Sequence, residues 1–271
     1  MLRSLFTGIS GLRAHQQMLD ITSNNIANVN TVGFKSSSAV FEDTLSQTIA
    51  GAGAPGAGGG TNPMQVGLGV QLAGTSTNFT QGSNQYTGRS SDMLINGDGF
   101  FVVKNGTQTT YTRAGSFDLD ANGHLVTPDG SVVQDATGNP LDLSALVSTA
   151  GAPSQYVSWS VAGDGTVNAV KQDGTTDSLG QIGLATFANP GGLQKVGDSQ
   201  YVPTANSGDA VVNAPGTGGV GTLTSGYVEM SNVDLASELT NLIISERGFQ
   251  ANSRVITTSD EVLQSLISLK Q

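Results

Sequence analysis

The 271-residue sequence contains no cysteine, and only 12% of its residues are charged. Without thiols, the chain can form neither disulfides nor thiolate metal sites. No apolar run approaches the ~18 residues that a membrane-spanning helix needs. The sequence therefore predicts a protein that does not insert into a membrane, and the low charge favours neutral polar surfaces that can meet other proteins.

Basic residues are also scarce, with 11 Lys and Arg against 21 Asp and Glu and a net charge of −10. This balance argues against nucleic-acid binding, which needs cations to displace counterions from phosphates. The acids are concentrated in residues 92–231, which hold 13 Asp and Glu against 4 Lys and Arg. Both ends of the chain are close to neutral, as expected of segments that become buried against other copies.

The N-terminal segment begins like a signal peptide but lacks an unbroken apolar core. Gly8, Ser10, Gly11 and Arg13 interrupt it, and no clear cleavage site follows. The sequence therefore predicts no cleaved signal peptide. Composition alone would favour a cytoplasmic protein.

A seven-residue apolar repeat predicts a long helix at each end of the chain, over residues 1–30 and 232–271. Asn232 or Asp234 can cap the second helix, with Glu238 in its first turn. Gly8 and Gly11 weaken the first helix in isolation. A two-helix hairpin that covers its own sheet is the alternative to a coiled-coil-like inner rod. The predicted assembly seam consists of Leu5, Leu12, Leu19, Ile26, Leu235, Leu242, Phe249, Ile256 and Leu263.

Two loose segments lie just inside the predicted helices. Residues 50–60 are almost entirely Gly and Ala, and residues 214–221 are also rich in Gly. Such compositions are typical of flexible linkers. We therefore expect connector or hinge segments over residues 31–71 and 211–231.

Short strands and tight turns characterise the middle of the chain. Asn-Gly or Asp-Gly pairs occur at residues 96, 105, 122, 129, 164 and 173, and such pairs supply the positive φ angles of tight hairpins. Residues 72–210 are therefore predicted to form one mainly antiparallel β domain. The fold class is α+β, with a discontinuous helical domain, Gly-rich hinges and this central domain as an outer shell.

No segment of the sequence carries a convincing active site. Asp118, Asp120 and Asp129 resemble a calcium loop, but their neighbours read as strands, so a hairpin turn is the preferred interpretation. His15 and His124 belong to no nucleophile or metal pattern. The sequence predicts neither an enzyme nor a bound cofactor, and a secreted calcium-dependent binding protein remains a remote alternative.

Long ordered motifs occur at residues 23–35, 96–101, 111–117 and from 226 to the end of the chain. These segments resemble the bacterial flagellar rod and hook proteins over nearly the whole chain. The opening residues 1–12 and the run 248–260 look like those of a hook protein, whereas distal rod proteins tend to carry Arg-Ala-Tyr at residues 247–249. The motif residues are Asn24, Asn25, Ile26, Ala27, Asn28, Thr31, Gly33 and Phe34.

The resemblance implies a structural subunit that polymerises into a helical tube around an export channel. It favours the flagellar hook, a flexible joint that transmits torque, with a stiff distal rod subunit as the alternative because the chain lacks a full outer domain. The implied partners are further copies, the rod below, the hook–filament junction above, and capping and export proteins. The implied location is extracellular, in the hook, after flagellar export without a cleaved signal peptide.

Overall fold

The computed structural model describes residues 2–56, 59–146 and 156–269, and these form two compact units. The helical unit comprises Met1–Ala27, Ser37–Asn78 and Asp234–Gln271, and the β unit comprises Asn28–Ser36 and Phe79–Val233. The predicted helical and β domains also included residues 1, 147–155 and 270–271, which lie outside the described residues.

Helices α1 (Leu2–Ala27) and α2 (Leu235–Ser268) confirm the two predicted terminal helices. The Asp234 carboxylate caps α2 by accepting hydrogen bonds from the backbone N–H groups of Ala236 and Ser237, at 3.0 and 3.5 Å. Helix α1 ends before the predicted residue 30, because Asn28 begins a turn closed by the Thr31 N–H. Neither helix has a stretch that is long and apolar enough, within the described residues, to span a membrane.

The helical unit also contains three antiparallel two-stranded ribbons, β1–β6, β2–β5 and β3–β4. Their strands are β1 (Ser37–Asp43), β2 (Ser46–Ala50), β3 (Gly53–Gly56), β4 (Gly59–Thr61), β5 (Met64–Gly67) and β6 (Val70–Thr77). Strands β3 and β4 thus lie within the Gly-rich hinge predicted over residues 50–60, of which residues 57 and 58 lie outside the described part, and its role as a hinge stays a prediction. Gly and Ala carry little strand signal of their own, so pairing with the opposite strand decides the conformation here.

The β unit is built on a nine-stranded sheet in which β11, β12, β13, β9, β10, β19 and β18 are successive neighbours. Strand β17 pairs with both β20 and the beginning of β9, and β14, β15 and β16 form a separate three-stranded sheet. The strands are β7 (Asn84–Tyr86), β8 (Met93–Asn96), β9 (Phe100–Asn105), β10 (Gln108–Thr112), β11 (Asp118–Leu119), β12 (Leu125–Val126), β13 (Val132–Val133), β14 (Tyr156–Val161), β15 (Thr166–Lys171), β16 (Thr176–Gln181), β17 (Leu184–Thr186), β18 (Gln194–Gly197), β19 (Gln200–Val202), β20 (Val211–Asn213), β21 (Thr222–Ser225) and β22 (Tyr227–Glu229).

Strand β9 is buried on both faces and separates two hydrophobic clusters. Alternate side chains of a strand point to opposite sides of the sheet. Phe101 and Val103 accordingly join the larger cluster with Phe117 and Leu125, while Phe100 joins the smaller aromatic one. This double burial explains why the strand is a continuous apolar run rather than an alternating one.

Most of the predicted turns close hairpins between neighbouring strands. Gly106, Gly123, Gly130, Gly165 and Gly174 all have positive φ, and each lies between two paired strands. The turn at residues 96–99 is different, because β8 pairs with the distant strand β21 and not with β9. That partner follows more than 120 residues later, so local turn signals could not reveal it.

The second predicted hinge, residues 214–221, is a compact hydrogen-bonded loop. Its backbone is closed by bonds from Gly216 N–H to Gly221 O and from Val220 N–H to Thr217 O, both at 3.0 Å. Val220 is buried in the larger hydrophobic cluster. Strands β21 and β22 then occupy much of the connector predicted over residues 211–231.

Candidate functional site: an apolar surface and a buried ionic cluster

The exposed apolar side chains are concentrated in the helical unit. Among the described residues, the exposed large hydrophobic side chains of the β unit are Tyr86, Val157, Val196 and Val211, and all the others belong to the helical unit. Nine of these exposed side chains lie on helix α2, and we call them together the α2 apolar surface. It consists of Leu235, Leu239, Ile243, Ile244, Phe249, Val255, Val262, Leu266 and Ile267.

Within the described residues, the helical unit contains no hydrophobic cluster of its own. Ala14 is its one hydrophobic residue among the fully buried residues described, whereas the β unit contains both hydrophobic clusters. Large exposed apolar surfaces on soluble proteins mark interaction sites. The apolar side chains that the helical unit exposes are therefore candidates for an interaction site.

The predicted seam residues are distributed between partly buried and exposed positions. Leu235 and Phe249 are exposed, and the other seven are partly buried: Leu5, Leu12, Leu19, Ile26, Leu242, Ile256 and Leu263. Whether these residues contact neighbouring copies stays a prediction.

Glycines allow the two helices to approach each other closely. A Cβ atom added to Gly11 would lie 2.7 Å from the Asn252 side chain, and one added to Gly248 would lie 2.5 Å from the His15 ring. Gly8 lies against Ile256 in the same way, at 3.3 Å. The glycines that weaken α1 in isolation thus permit this close packing, and a coiled coil formed through the leucine repeat is not confirmed.

Three charged side chains meet in the interior of the β unit. Lys35 Nζ lies 2.6 Å from Glu229 Oε1, and Arg113 lies 3.4 Å from Glu229 Oε2. These side chains are at most 2% exposed. Burial lowers the pKa of Lys35 and of Arg113, and the attraction of Glu229 opposes that effect in both. We call these three residues the ionic cluster.

The ionic cluster joins segments that are distant in the sequence. Besides Glu229, Lys35 donates a hydrogen bond to the Thr80 carbonyl at 2.9 Å, and Glu229 Oε1 accepts another from the Gly82 N–H at 2.8 Å. Beside it, Asn232 accepts from the Ser36 N–H at 2.8 Å and donates to the Thr80 carbonyl at 3.1 Å. These bonds hold the segments around residues 35, 80 and 230 together within the β unit.

Comparison with known proteins identifies the relatives of this chain. Three families match: "Flagella basal body rod protein" over residues 5–35, "Flagellar hook protein FlgE/F/G D1 domain" over 94–169 and "Flagellar basal body rod FlgEFG protein C-terminal" over 224–269. The chain is 50% identical to the flagellar basal-body rod protein FlgG of Bacillus subtilis over the full length of both. The chain belongs to the flagellar rod and hook protein family.

This family consists of flagellar structural proteins and is not a family of enzymes. Two relatives from Borreliella burgdorferi allow its rod and hook members to be compared with this chain. The chain is 38% identical to the rod protein FlgG of that organism over 279 residues, and 30% identical to its hook protein FlgE over 441 residues. Both matches cover all of this chain and all of the relative. The rod protein is thus the more similar of the two, and the hook protein is much longer than this chain.

The family motif is divided between the two units. Asn24, Asn25, Ile26 and Ala27 end helix α1, where the buried Asn25 side chain donates to the Ser37 carbonyl at 2.7 Å and to Glu238 at 2.9 Å. In the β unit, Thr31 donates to the Asn28 side chain at 3.1 Å, and Phe34 lies 4.8 Å from the Lys195 ammonium.

The backbone conformation at Gly33, another residue of the family motif, can be adopted only by glycine. Its φ is +68°, its N–H donates to the Glu229 carbonyl at 2.7 Å, and a Cβ atom there would collide with the backbone at Ala114. The positive φ and this close approach both require glycine.

The sequence-based site prediction missed all three members of the ionic cluster. Lys35, Arg113 and Glu229 lie in three separate motif segments, at 23–35, 111–117 and 226–235. In a chain with so little charge, the few charged residues of these segments, Lys35, Arg113, Glu229 and Asp234, were the available signal. Their pairing required knowledge of long-range contacts that no local pattern contains.

The acidic turn has the geometry of a hairpin. Asp120 accepts hydrogen bonds from the backbone N–H groups of Asn122 and His124 at 2.7 and 3.1 Å, and these bonds lower the pKa of its carboxyl. Asp129 accepts from Ser131 at 2.6 Å, and Asp118 pairs with Arg89. Within the described ranges, no three acidic or histidine side chains are grouped so that they could hold a metal. His124 contacts the Leu141 carbonyl at 3.2 Å.

Replacing Glu229 by glutamine should destabilise the β unit by about 3–5 kcal/mol, because it leaves two buried cations without a countercharge. The measurement is the urea midpoint of unfolding, followed by circular dichroism. The matched control is Arg89→Gln, which breaks an exposed ion pair and should leave the midpoint close to that of the wild type. Equal midpoints for both variants would contradict a stabilising role for the ionic cluster.

Proposed function

We propose that this chain is a subunit of the flagellar distal rod, the stiff shaft of the basal body, and not a hook subunit. The observation that carries this proposal is the 50% identity to a rod protein over the full length of both chains. The hook-like features of residues 1–12 and 248–260 are outweighed by this match, because terminal segments are short and the match covers the whole chain.

Chain length supports the same proposal. The alignments with the two rod proteins run over 273 and 279 residues, close to the length of this chain. The alignment with the hook protein runs over 441 residues. A hook subunit of that length carries additional sequence that this chain lacks.

The function is mechanical rather than enzymatic, and it rests on the helical unit. Each copy presents one surface to a different surface of the next, and such contacts form an open helical polymer. Burial of a large apolar side chain contributes about 1.5–3 kcal/mol, so the α2 apolar surface could supply on the order of 10 kcal/mol before ordering entropy is subtracted. We propose that the predicted seam residues contribute to the same contacts.

The ribbons of the helical unit favour a stiff polymer. Residues 46–50 and 64–67 are paired strands with exposed Ile49, Met64 and Val66, so this segment offers an apolar surface and not a soft link. Strand pairing removes part of the backbone freedom that an unpaired Gly-rich linker would have. A chain that bends at this segment is therefore less consistent with the structure than one that does not.

The rod proposal also specifies location and partners. The chain would lie in the basal body, between proximal rod subunits and the hook, and would reach that place by flagellar export without a cleaved signal peptide. The helical units would line the export channel. The proposed location is therefore the basal body and not the extracellular hook. The proposed partners remain further copies, other axial proteins, capping proteins and export proteins.

Electron microscopy of polymers grown from purified chain tests the proposal. A rod subunit should form straight, rigid tubes with no preferred curvature, whereas a hook subunit should form tubes of regular curvature. The control is a purified hook protein polymerised under the same conditions. Curved polymers from this chain would restore the hook assignment.

A further inference from the structure

Three Asn-Gly pairs occur in the sequence, at residues 96, 105 and 122, and each lies in a turn of the β unit. In such a pair the amide nitrogen of glycine can attack the side-chain carbonyl carbon of asparagine, because glycine has no side chain to hinder the approach. The bond from that carbon to the side-chain nitrogen then breaks, ammonia leaves, and a five-membered succinimide remains. Water opens this ring to aspartate or isoaspartate. Water is the only co-reactant, so local structure decides which pair reacts.

The pair Asn105–Gly106 meets the requirements of this reaction. It lies at the end of the hairpin between β9 and β10, where Asn105 pairs with Gln108 and Gly106 has a φ of +60°. Both residues are exposed, and a Cβ atom added to Gly106 would have no neighbour within 4 Å beyond the adjacent residues. In the part of the chain that the structure describes, neither the Gly106 N–H nor the Asn105 side chain forms a hydrogen bond. Only the terminal strand pair has to open for the two groups to meet.

The structure opposes the same reaction at Asn122. The Gly123 N–H donates to the Asp120 carbonyl at 3.1 Å, and the Asn122 side chain donates to the Asp120 carboxylate at 3.3 Å. Gly123 is buried, and a Cβ atom there would collide with the backbone at Ser144. The attacking nitrogen is therefore held away from the asparagine side chain.

Hydrogen bonds also hold the pair Asn96–Gly97. The Gly97 N–H donates to the Gln81 side chain at 3.3 Å, and the Asn96 side chain donates to the Thr224 hydroxyl at 2.7 Å and accepts from Gln81 at 3.3 Å. A Cβ atom added to Gly97 would lie 3.1 Å from Gly221. Both reacting groups must give up hydrogen bonds before they can meet, which costs free energy.

We propose that Asn105 is a modification site at which the folded chain deamidates spontaneously to aspartate and isoaspartate. The inference does not rest on the proposed function. Each event adds one negative charge, and isoaspartate also adds a methylene group to the backbone. The length of a tight turn sets the register of its hairpin, so isoaspartate should disturb the pairing of β9 with β10.

Incubation of the folded, full-length protein in mildly alkaline buffer tests the proposal. Peptide mapping by mass spectrometry would follow all three pairs in one sample, so that Asn96 and Asn122 serve as internal controls. Asn105 should react at least about tenfold faster than either, because its reacting groups have no hydrogen bonds to give up. Equal rates at the three pairs, or a faster reaction at Asn96 or Asn122, would overturn the proposal.

The same measurement in concentrated urea separates the effect of structure from that of local sequence. In the unfolded chain the turns and their hydrogen bonds are lost, so the three rates should converge to within about threefold of one another. If Asn105 kept its full lead in urea, neighbouring residues and not the hairpin would select the site, and the structural assignment would be wrong.

Asn105→Gln is the matched variant for the consequence of the reaction. Glutamine keeps an exposed amide at this position, but its longer side chain would have to close a six-membered ring, so it should stay intact over the same period. Incubation should lower the urea midpoint of unfolding of the wild type in proportion to its isoaspartate content and leave that of Asn105→Gln unchanged. Equal losses in both, or no loss in wild type that carries isoaspartate, would contradict the effect on the hairpin.

Discussion

Replacing Ile243 by aspartate should abolish polymerisation while leaving the β unit folded. Ile243 belongs to the α2 apolar surface and is 51% exposed, so the substitution removes little contact within the subunit. In a polymer that buries this surface, the new carboxylate would be desolvated without a partner, at a cost of several kcal/mol. The critical concentration for assembly should therefore rise at least on the order of 100-fold.

Sedimentation of polymer and circular dichroism of the monomer measure the two parts of this prediction. The matched control is Ser253→Asp, which adds the same charge at an exposed polar position of the same helix. Ser253→Asp should polymerise close to the wild type. If Ile243→Asp formed normal polymers, the α2 apolar surface would not be an assembly surface.

Proteolysis of dilute monomer should remove the helical unit and spare the β unit. Ala14 is the only fully buried hydrophobic residue of the helical unit among those described, so its helices and ribbons can open locally at little cost. The β unit has two hydrophobic clusters and the ionic cluster. Subtilisin should therefore leave a resistant fragment that begins near Phe79 and ends near Val233.

The segment Asn28–Ser36 provides a sharper version of this test. It belongs to the β unit, where Lys35 pairs with Glu229 and Gly33 bonds the Glu229 carbonyl. We expect this peptide to remain bound to the resistant fragment after residues 37–78 are lost, and mass spectrometry under native conditions would detect it. Polymers should protect the helical unit. Protection of both helices in verified monomer would contradict this account.

The elements with strong local signals could be predicted from the sequence. The seven-residue repeat predicted both helices, and Asp234 caps α2 as one of the two residues considered. Asn-Gly and Asp-Gly pairs predicted hairpins such as that between β9 and β10, where Gly106 has a φ of +60°. In each case the deciding interactions lie within a few residues of one another.

Features that depend on distant partners could not be predicted. Strands β8 and β21 pair although more than 120 residues of sequence separate them. Strand pairing also holds the Gly-rich residues near 53–61 as a ribbon. Gly11 looked unfavourable for a helix, but it allows α1 to approach α2 closely. The ionic cluster required Lys35, Arg113 and Glu229 to be brought together by the fold.

Cryo-electron tomography of cells that lack this gene tests the rod assignment most directly. A rod subunit predicts basal bodies in which the distal part of the rod is missing, together with everything assembled beyond it, and a plasmid copy of the gene should restore both. Basal bodies with a complete rod that lack only the hook would contradict the account.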